Sequence, residues 1–157
     1  MLPHDLLVTA RDLANSSPGK PRQAHLRRAV STTYYAMFHA LARCCADLLI
    51  GGPGSRRSEE AWIQVYRALD HSSVKDTCTK KKSVLSKFPK EIQDFANIFL
   101  QMQIKRHDAD YNPDGTVFKS AVLTDIAIVE AAIEGFNKAP LKDRRAFAAF
   151  VMLKQRN

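Results

Sequence analysis

The sequence has few of the features that define several common protein classes. Its three cysteines, Cys44, Cys45 and Cys78, form no CxxC pair and have no histidine at zinc spacing, so neither a disulfide framework nor a structural metal site is indicated. No run approaches the roughly 20 apolar residues that a membrane span requires. Asp5 and Arg11 interrupt the N-terminal segment where a signal peptide would be continuously apolar. We therefore expect a cytoplasmic protein with no membrane contact, no metal and no cofactor.

Glycine and strand-like alternation are also scarce. Only six residues are glycine, and the one glycine-rich stretch, Gly51 to Gly54, follows a helical pattern and lacks the lysine–serine ending of a phosphate-cradling loop. A nucleotide hydrolase of that type is therefore not indicated. No stretch alternates with period two for long enough to predict a strand, so the pattern favours an all-α fold.

Acidic residues are fewer than basic ones. The chain has 16 aspartates and glutamates against 24 lysines and arginines, which gives a formal net charge of +8. This balance favours a polyanionic partner, because lysine and arginine displace counterions from phosphates. The alternative is a basic solvated surface without any ligand.

Apolar residues recur at intervals of three and four over most of the chain, which is typical of amphipathic helices. Prolines, glycines and capping residues separate these segments. The predicted helices are Pro3 to Asn15, Gln23 to Ile50, one that Ser58 opens with Trp62, Val65, Tyr66 and Leu69 inward, a short one within the lysine-rich stretch His71 to Lys87, Pro89 to Tyr111, Phe118 to Phe136, and a terminal helix capped by Asp143. We expect one domain over residues 1–157, an antiparallel bundle of four to five long helices with an extra C-terminal helix.

The long helix Gln23 to Ile50 carries two stripes. Its apolar stripe predicts a bundle core and comprises Leu26, Val30, Thr33, Tyr34, Met37, Phe38, Leu41, Cys45, Leu48 and Leu49. About a quarter turn away, a polar, aromatic and basic stripe comprises Arg28, Thr32, Tyr35, His39 and Arg43. This second stripe is a candidate surface for a partner. Tyr35 and His39 could stack a base or contact a phosphate, or they could pack on the helix Pro89 to Tyr111.

Two motifs together resemble those of a known family. The first is RRAVSTTYYAMFHA at Arg27 to Ala40, and the second is RHDADY at Arg106 to Tyr111. The combination resembles the HEPN superfamily (higher eukaryotes and prokaryotes nucleotide-binding), in particular its small stand-alone prokaryotic members. The resemblance covers most of the chain, from the first predicted helix through the fifth long one.

The resemblance implies an all-α bundle that pairs into a homodimer. Many family members are metal-independent ribonucleases whose active site forms where two copies of a motif meet, an arginine and a histidine separated by four to six residues. Many also belong to toxin–antitoxin or defence modules beside a nucleotidyltransferase. The family arginine falls on Arg106, but the position of the family histidine is occupied by Tyr111 to Pro113, and the nearby histidine is His107.

Metal-free RNA cleavage needs a cation for the phosphate and groups that transfer protons. Arginine suits the first role and histidine the second. The candidate catalytic residues are therefore Arg106, His107, Asp110 and Tyr111. A homodimer interface could bring these residues together with their symmetry mates. The structural alternative is that Arg106 and Asp110 form an i, i+4 ion pair while Tyr111 closes the helix end with its ring buried. The candidate nucleic-acid-binding residues are Arg28, Tyr35, His39 and Arg43.

Three function classes follow. The first is a HEPN-like RNA- or nucleotide-associated protein of a toxin–antitoxin, defence or stress module, which acts by binding or assembly with a degenerate nuclease motif. We expect this class. The second is an active metal-independent endoribonuclease that uses Arg106 at a dimer interface. The third is a protein-interaction partner of a nucleotidyltransferase antitoxin, with no affinity for nucleic acid of its own.

Overall fold

The structure, a computed structural model, describes all 157 residues and is entirely helical, with no strand. The all-α bundle and its additional C-terminal helix are thereby confirmed. No helix is both long enough and apolar enough to cross a membrane. The helices are α1 (Pro3–Asn15), α2 (Gln23–Leu49), α3 (Glu59–Ala68), α4 (His71–Lys80), α5 (Lys82–Leu85), α6 (Lys90–Tyr111), α7 (Lys119–Lys138) and α8 (Leu141–Met152).

Helix α2 lies at the centre and packs against α1, α3, α6, α7 and α8. Its apolar stripe is largely buried as predicted, although Phe38 and Leu48 are half-buried. Leu49 was expected in the core but is 40% exposed, because it lies in the last turn, beyond the packed length of the helix. Small side chains let neighbouring helices approach α2 from several sides. The buried alanines of α2 are Ala29, Ala36, Ala40, Ala42 and Ala46.

The largest core side chains come from α2, α6, α7 and α8. The rings of Phe95 on α6 and Phe136 on α7 have their centroids 4.5 Å apart, and Phe136 meets Phe147 of α8 at 5.8 Å. All three rings are fully buried, as is Tyr34 of α2. Burial of such rings supplies much of the apolar free energy that holds the long helices together.

Helix α3 and the first residue of α4, His71, cover one side of α2. Leu69, just beyond α3, is buried as predicted, whereas Trp62, Val65 and Tyr66 are only half-buried, and α3 itself has no fully buried residue. The lysine-rich stretch contains two helices, α4 and α5, where one short helix was expected.

Capping side chains fix several helix ends. The Ser58 hydroxyl accepts a hydrogen bond from the backbone N–H of Ala61 at 3.2 Å, which confirms the predicted start of α3. The expected cap at Asp143 is wrong. Pro140 occupies the N-cap of α8, and Asp143 lies in the first turn. There its carboxylate is near the positive end of the helix dipole without bonding a free N–H as a cap.

Candidate nucleic-acid interface

Arg106 points into the contact between α6 and α2. Its side chain is only 19% exposed, and its guanidinium carbon lies 5.6 Å from the ring centroids of both Tyr34 and Tyr35. Its Nη2 donates a hydrogen bond to the Tyr35 hydroxyl at 3.3 Å. Its Nε lies 3.1 Å from an Asp110 carboxylate oxygen, but it makes no directed hydrogen bond, so this is a charge contact. The predicted i, i+4 ion pair is therefore present, and Tyr35 packs on α6.

His39 and His71 are held by tyrosine hydroxyls beside this contact. His71 Nδ1 is hydrogen-bonded to the Tyr34 hydroxyl, and His39 Nδ1 to the hydroxyl of Tyr66 on α3. The His71 ring also stacks on Phe38 with centroids 4.2 Å apart. Burial lowers the pKa of both imidazoles, and the charge of Arg106 lowers that of His71 further. Both rings are therefore neutral parts of the packing at pH 7.

Burial also raises the pKa of Tyr34 far above its ordinary value, although Arg106 acts in the opposite direction. The Tyr34 phenol is consequently protonated over the whole physiological range. It serves as a hydrogen-bonding partner in the core, as its place in the apolar stripe predicts.

His107 and Tyr111 lie on the outer face of α6. Their ring centroids are 4.9 Å apart, and Tyr111 is 64% exposed, so the expectation of a buried tyrosine ring at the helix end is wrong. Consecutive helical residues point about 100° apart, so His107 diverges from Arg106. Within one chain the four candidate catalytic residues thus form two pairs, Arg106 with Asp110 toward α2, and His107 with Tyr111 toward solvent.

A groove of about 500 Å³ lies between α4 and α6 and is lined by one member of each pair, Arg106 and His107. Arg106 and His107 line it on α6 with the exposed Ile104, and Lys75 lines it on α4. Lys75 forms no salt bridge, unlike Lys80 one turn further along α4, which pairs with Asp76. The remaining lining residues are Ser72, Thr79, Leu100 and Gln103. The groove therefore combines cationic nitrogens, neutral hydrogen-bonding groups and an apolar surface.

The second stripe of α2 is not a continuous free surface. Helix α3 covers part of it, because His39 contacts Tyr66 and the Arg43 guanidinium lies 5.6 Å from the Trp62 ring centroid. Arg28 is exposed and its side chain contacts no partner. The four candidate nucleic-acid-binding residues, Arg28, Tyr35, His39 and Arg43, are therefore not brought together, and none of them lines the α4–α6 groove.

Arg27 has a role that the sequence did not reveal. Its guanidinium donates hydrogen bonds to the carbonyls of Ala109 and Pro113, at 3.2 and 3.3 Å, and to those of Asn112 and Gly115. It fastens the end of α6 and the following loop to α2. The carbonyls lie more than 80 residues away in sequence, so no local pattern distinguishes Arg27 from Arg28.

No protein-family model, curated protein or solved structure matches the chain. Nor does the chain gather three or more histidine, cysteine, aspartate or glutamate side chains into a group that could hold a metal ion. The groove and the residues around it are therefore the features of the molecule that bear on its function.

Proposed function

We propose that the chain is a HEPN-like RNA- or nucleotide-associated protein of a prokaryotic toxin–antitoxin, defence or stress module, and that it acts by binding or assembly. The observation that carries the proposal is the α4–α6 groove, where unpaired Lys75 faces the edge of α6 that bears Arg106 and His107. The net charge of +8 also favours an anionic ligand.

The groove fits the two chemical parts of a nucleotide. The Lys75 ammonium can neutralise a phosphate, and hydroxyl and amide groups beside it can donate to phosphate or sugar oxygens. The exposed rings of His107 and Tyr111, with Ile104 next to them, offer flat and apolar surface for an unstacked base. This combination is typical of single-strand or mononucleotide binding without strong sequence preference.

The same geometry argues against efficient cleavage by one chain. RNA cleavage needs the guanidinium and the proton-transfer group to reach the same phosphodiester. Arg106 is engaged by Tyr35 and Asp110, while His107 projects from the outer face of α6. We therefore assign Arg106 mainly a structural role, in which it holds α6, one wall of the groove, against α2.

An active metal-independent endoribonuclease is the second candidate. It would require a homodimer in which a second copy brings its own His107 and Tyr111 to the groove edge that carries Arg106. Ile104, which is 71% exposed, and the exposed Tyr111 favour such a dimer interface. Large apolar side chains exposed on one helix face often mark an interface.

Binding is tested by fluorescence anisotropy of a labelled single-stranded RNA with the wild-type protein at about 50 and 200 mM salt. Affinity should fall steeply with salt. Lys75→Ala should weaken binding and make the salt slope shallower by roughly 0.7. Lys142→Ala is the matched control, since Lys142 is equally exposed and lies on α8 outside the groove. Equal losses in both variants would contradict a site in the groove.

Cleavage is tested with a mixed RNA pool in excess chelator. Wild type, Arg106→Ala and His107→Ala should all leave the RNA intact. Cleavage that is lost in both variants would instead establish the nuclease and the need for both residues. If the wild type neither binds nor cleaves RNA or nucleotides, the third class, a protein partner of a nucleotidyltransferase, replaces the proposal.

A further inference from the structure

A second cavity, of about 410 Å³, lies where α1, α2, α7 and α8 meet. It is separate from the α4–α6 groove and shares no lining residue with it. Its polar side chains include Arg43 of α2, Asn137 of α7 and Arg144 of α8, and its apolar walls include Pro3, Leu48 and Ile133. Its size is within the range of small-molecule sites, roughly 300–1,000 Å³.

Neither arginine in this cavity has a carboxylate partner. Arg43 forms no salt bridge, and its Nε is buried without any hydrogen-bond partner. Arg144 donates from Nε to the Ala139 carbonyl at 2.9 Å and forms no salt bridge either. A buried guanidinium nitrogen without an acceptor is costly, and Arg43 Nε is one. The same cavity holds a second guanidinium, that of Arg144, without a carboxylate, so the pair calls for an anion.

Asp47 also lines the cavity, but its carboxylate does not supply that anion. The Asp47 carboxylate accepts a hydrogen bond from Trp62 Nε1 at 2.8 Å and one from Arg57 at 3.2 Å, so its charge is already compensated. Burial raises the pKa of the Cys44 thiol to about 11, and the thiol is therefore neutral at pH 7. The positive charge inside the cavity remains unbalanced.

We propose that this cavity binds the phosphate group of a small organic phosphomonoester between Arg43 and Arg144. The planar forks of arginine match phosphate oxygens through paired hydrogen bonds, which a halide or a bulky polymer would not satisfy. The Asn137 amide provides a further donor. The apolar walls cover the organic part of the ligand, which explains why the cavity is larger than a phosphate ion needs.

Trp62 makes the proposal directly measurable. It is the only tryptophan in the chain, and its ring lies against the Arg43 guanidinium. Titration with inorganic phosphate at constant ionic strength should change its fluorescence in a saturable way. Thermal melting provides the second readout, and there phenyl phosphate should stabilise the protein more than inorganic phosphate at equal concentration, while phenol should not stabilise it.

The variants Arg43→Gln and Arg144→Gln should each weaken both effects by roughly tenfold or more, because each removes charge-assisted hydrogen bonds to the ligand. Arg145→Gln is the matched control, since Arg145 is exposed, adjacent in sequence and absent from the cavity, and it should bind as the wild type does. Melting of each variant without ligand checks that it folds, and either arginine variant alone is sufficient for the test.

Two results would overturn the proposal. The first is a fluorescence response that does not saturate or that added chloride reproduces at the same ionic strength. The second is an equal loss of binding in Arg145→Gln and in the two cavity variants, which would show a general effect of net charge. Loss of RNA binding in Lys75→Ala with intact phosphate binding here would show that the two sites are independent.

Discussion

Replacement of Arg27 by alanine should destabilise the fold although the residue lies at the surface end of α2. The guanidinium donates to four carbonyls at the end of α6 and in the loop that follows, and two of those contacts, to Ala109 and Gly115, are partly buried. A hydrogen bond that involves a charged group contributes about 1.5–3 kcal/mol, and less when water can replace it. Since water reaches the carbonyls at the loop tip, we expect a total loss of about 2 kcal/mol.

The loss is measured by urea unfolding and by thermal melting. For a chain of this size, 1 kcal/mol corresponds to a shift of about 2–4 °C, so Arg27→Ala should lower the melting temperature by roughly 4–8 °C. Arg28→Ala removes the same charge from the next residue, which is exposed and whose side chain forms no hydrogen bond or salt bridge, and it should change stability by no more than about 0.5 kcal/mol. Arg27→Lys should fall between them, because lysine keeps the charge but not the fork of donors. Equal melting temperatures for Arg27→Ala and Arg28→Ala would refute the reasoning.

Three further expectations concern the packing around α2 and the start of α3. Tyr34→Phe removes the hydroxyl that bonds His71 and should cost about 1–2 kcal/mol in urea unfolding, because an imidazole nitrogen then lacks its partner in a partly buried site. Folding lowers the pKa of His39 and His71 below the ordinary 6.5, so the unfolded chain binds more protons than the folded one as the pH falls through this range. The free energy of unfolding should therefore decrease as the pH is lowered from 7.5 to 5.5. His71→Gln should make this decrease smaller. Unfolding that is independent of pH over this range would contradict the assignment. Ser58→Ala removes the cap of α3 and should cost about 1 kcal/mol, whereas Ser55→Ala in the preceding loop should cost less.

Helix positions followed from the sequence because each depends on local chemistry. The pattern of apolar residues and the prolines at 89 and 113 placed α6 within one residue of its observed ends. The direction of the site residues did not follow, since it depends on which helix covers which face. Arg106 and His107 are adjacent and both polar, yet one packs on Tyr35 and the other faces solvent, and only the position of α2 decides between them.

The second stripe of α2 also shows that the sequence predicts which residues share a helix face but not what covers that face. Its spacing correctly predicted that Tyr35 and His39 share a face. Tyr35 packs on α6, as the structural alternative has it, whereas His39 contacts Tyr66 of α3 instead. The sequence could not place α3 against that face, because the apolar stripe of α3 shows which of its own faces turns inward but not which helix it meets. The role of Arg27 could not be predicted for a related reason. Its partners are backbone carbonyls, which every residue type has, so the sequence does not mark them.

Because α2 lies at the centre of the bundle, the helices should differ in how readily they unfold locally. Amide protons along α2 should exchange with solvent only when the whole chain unfolds, because five helices must separate before its hydrogen bonds are exposed. Helix α4 meets α2 at its first residue, His71, and beyond it buries only Val74, Thr77 and Cys78 against α5, α6 and α8. The part of the α4–α6 groove wall that carries Lys75 should therefore exchange its amide protons before α2 does.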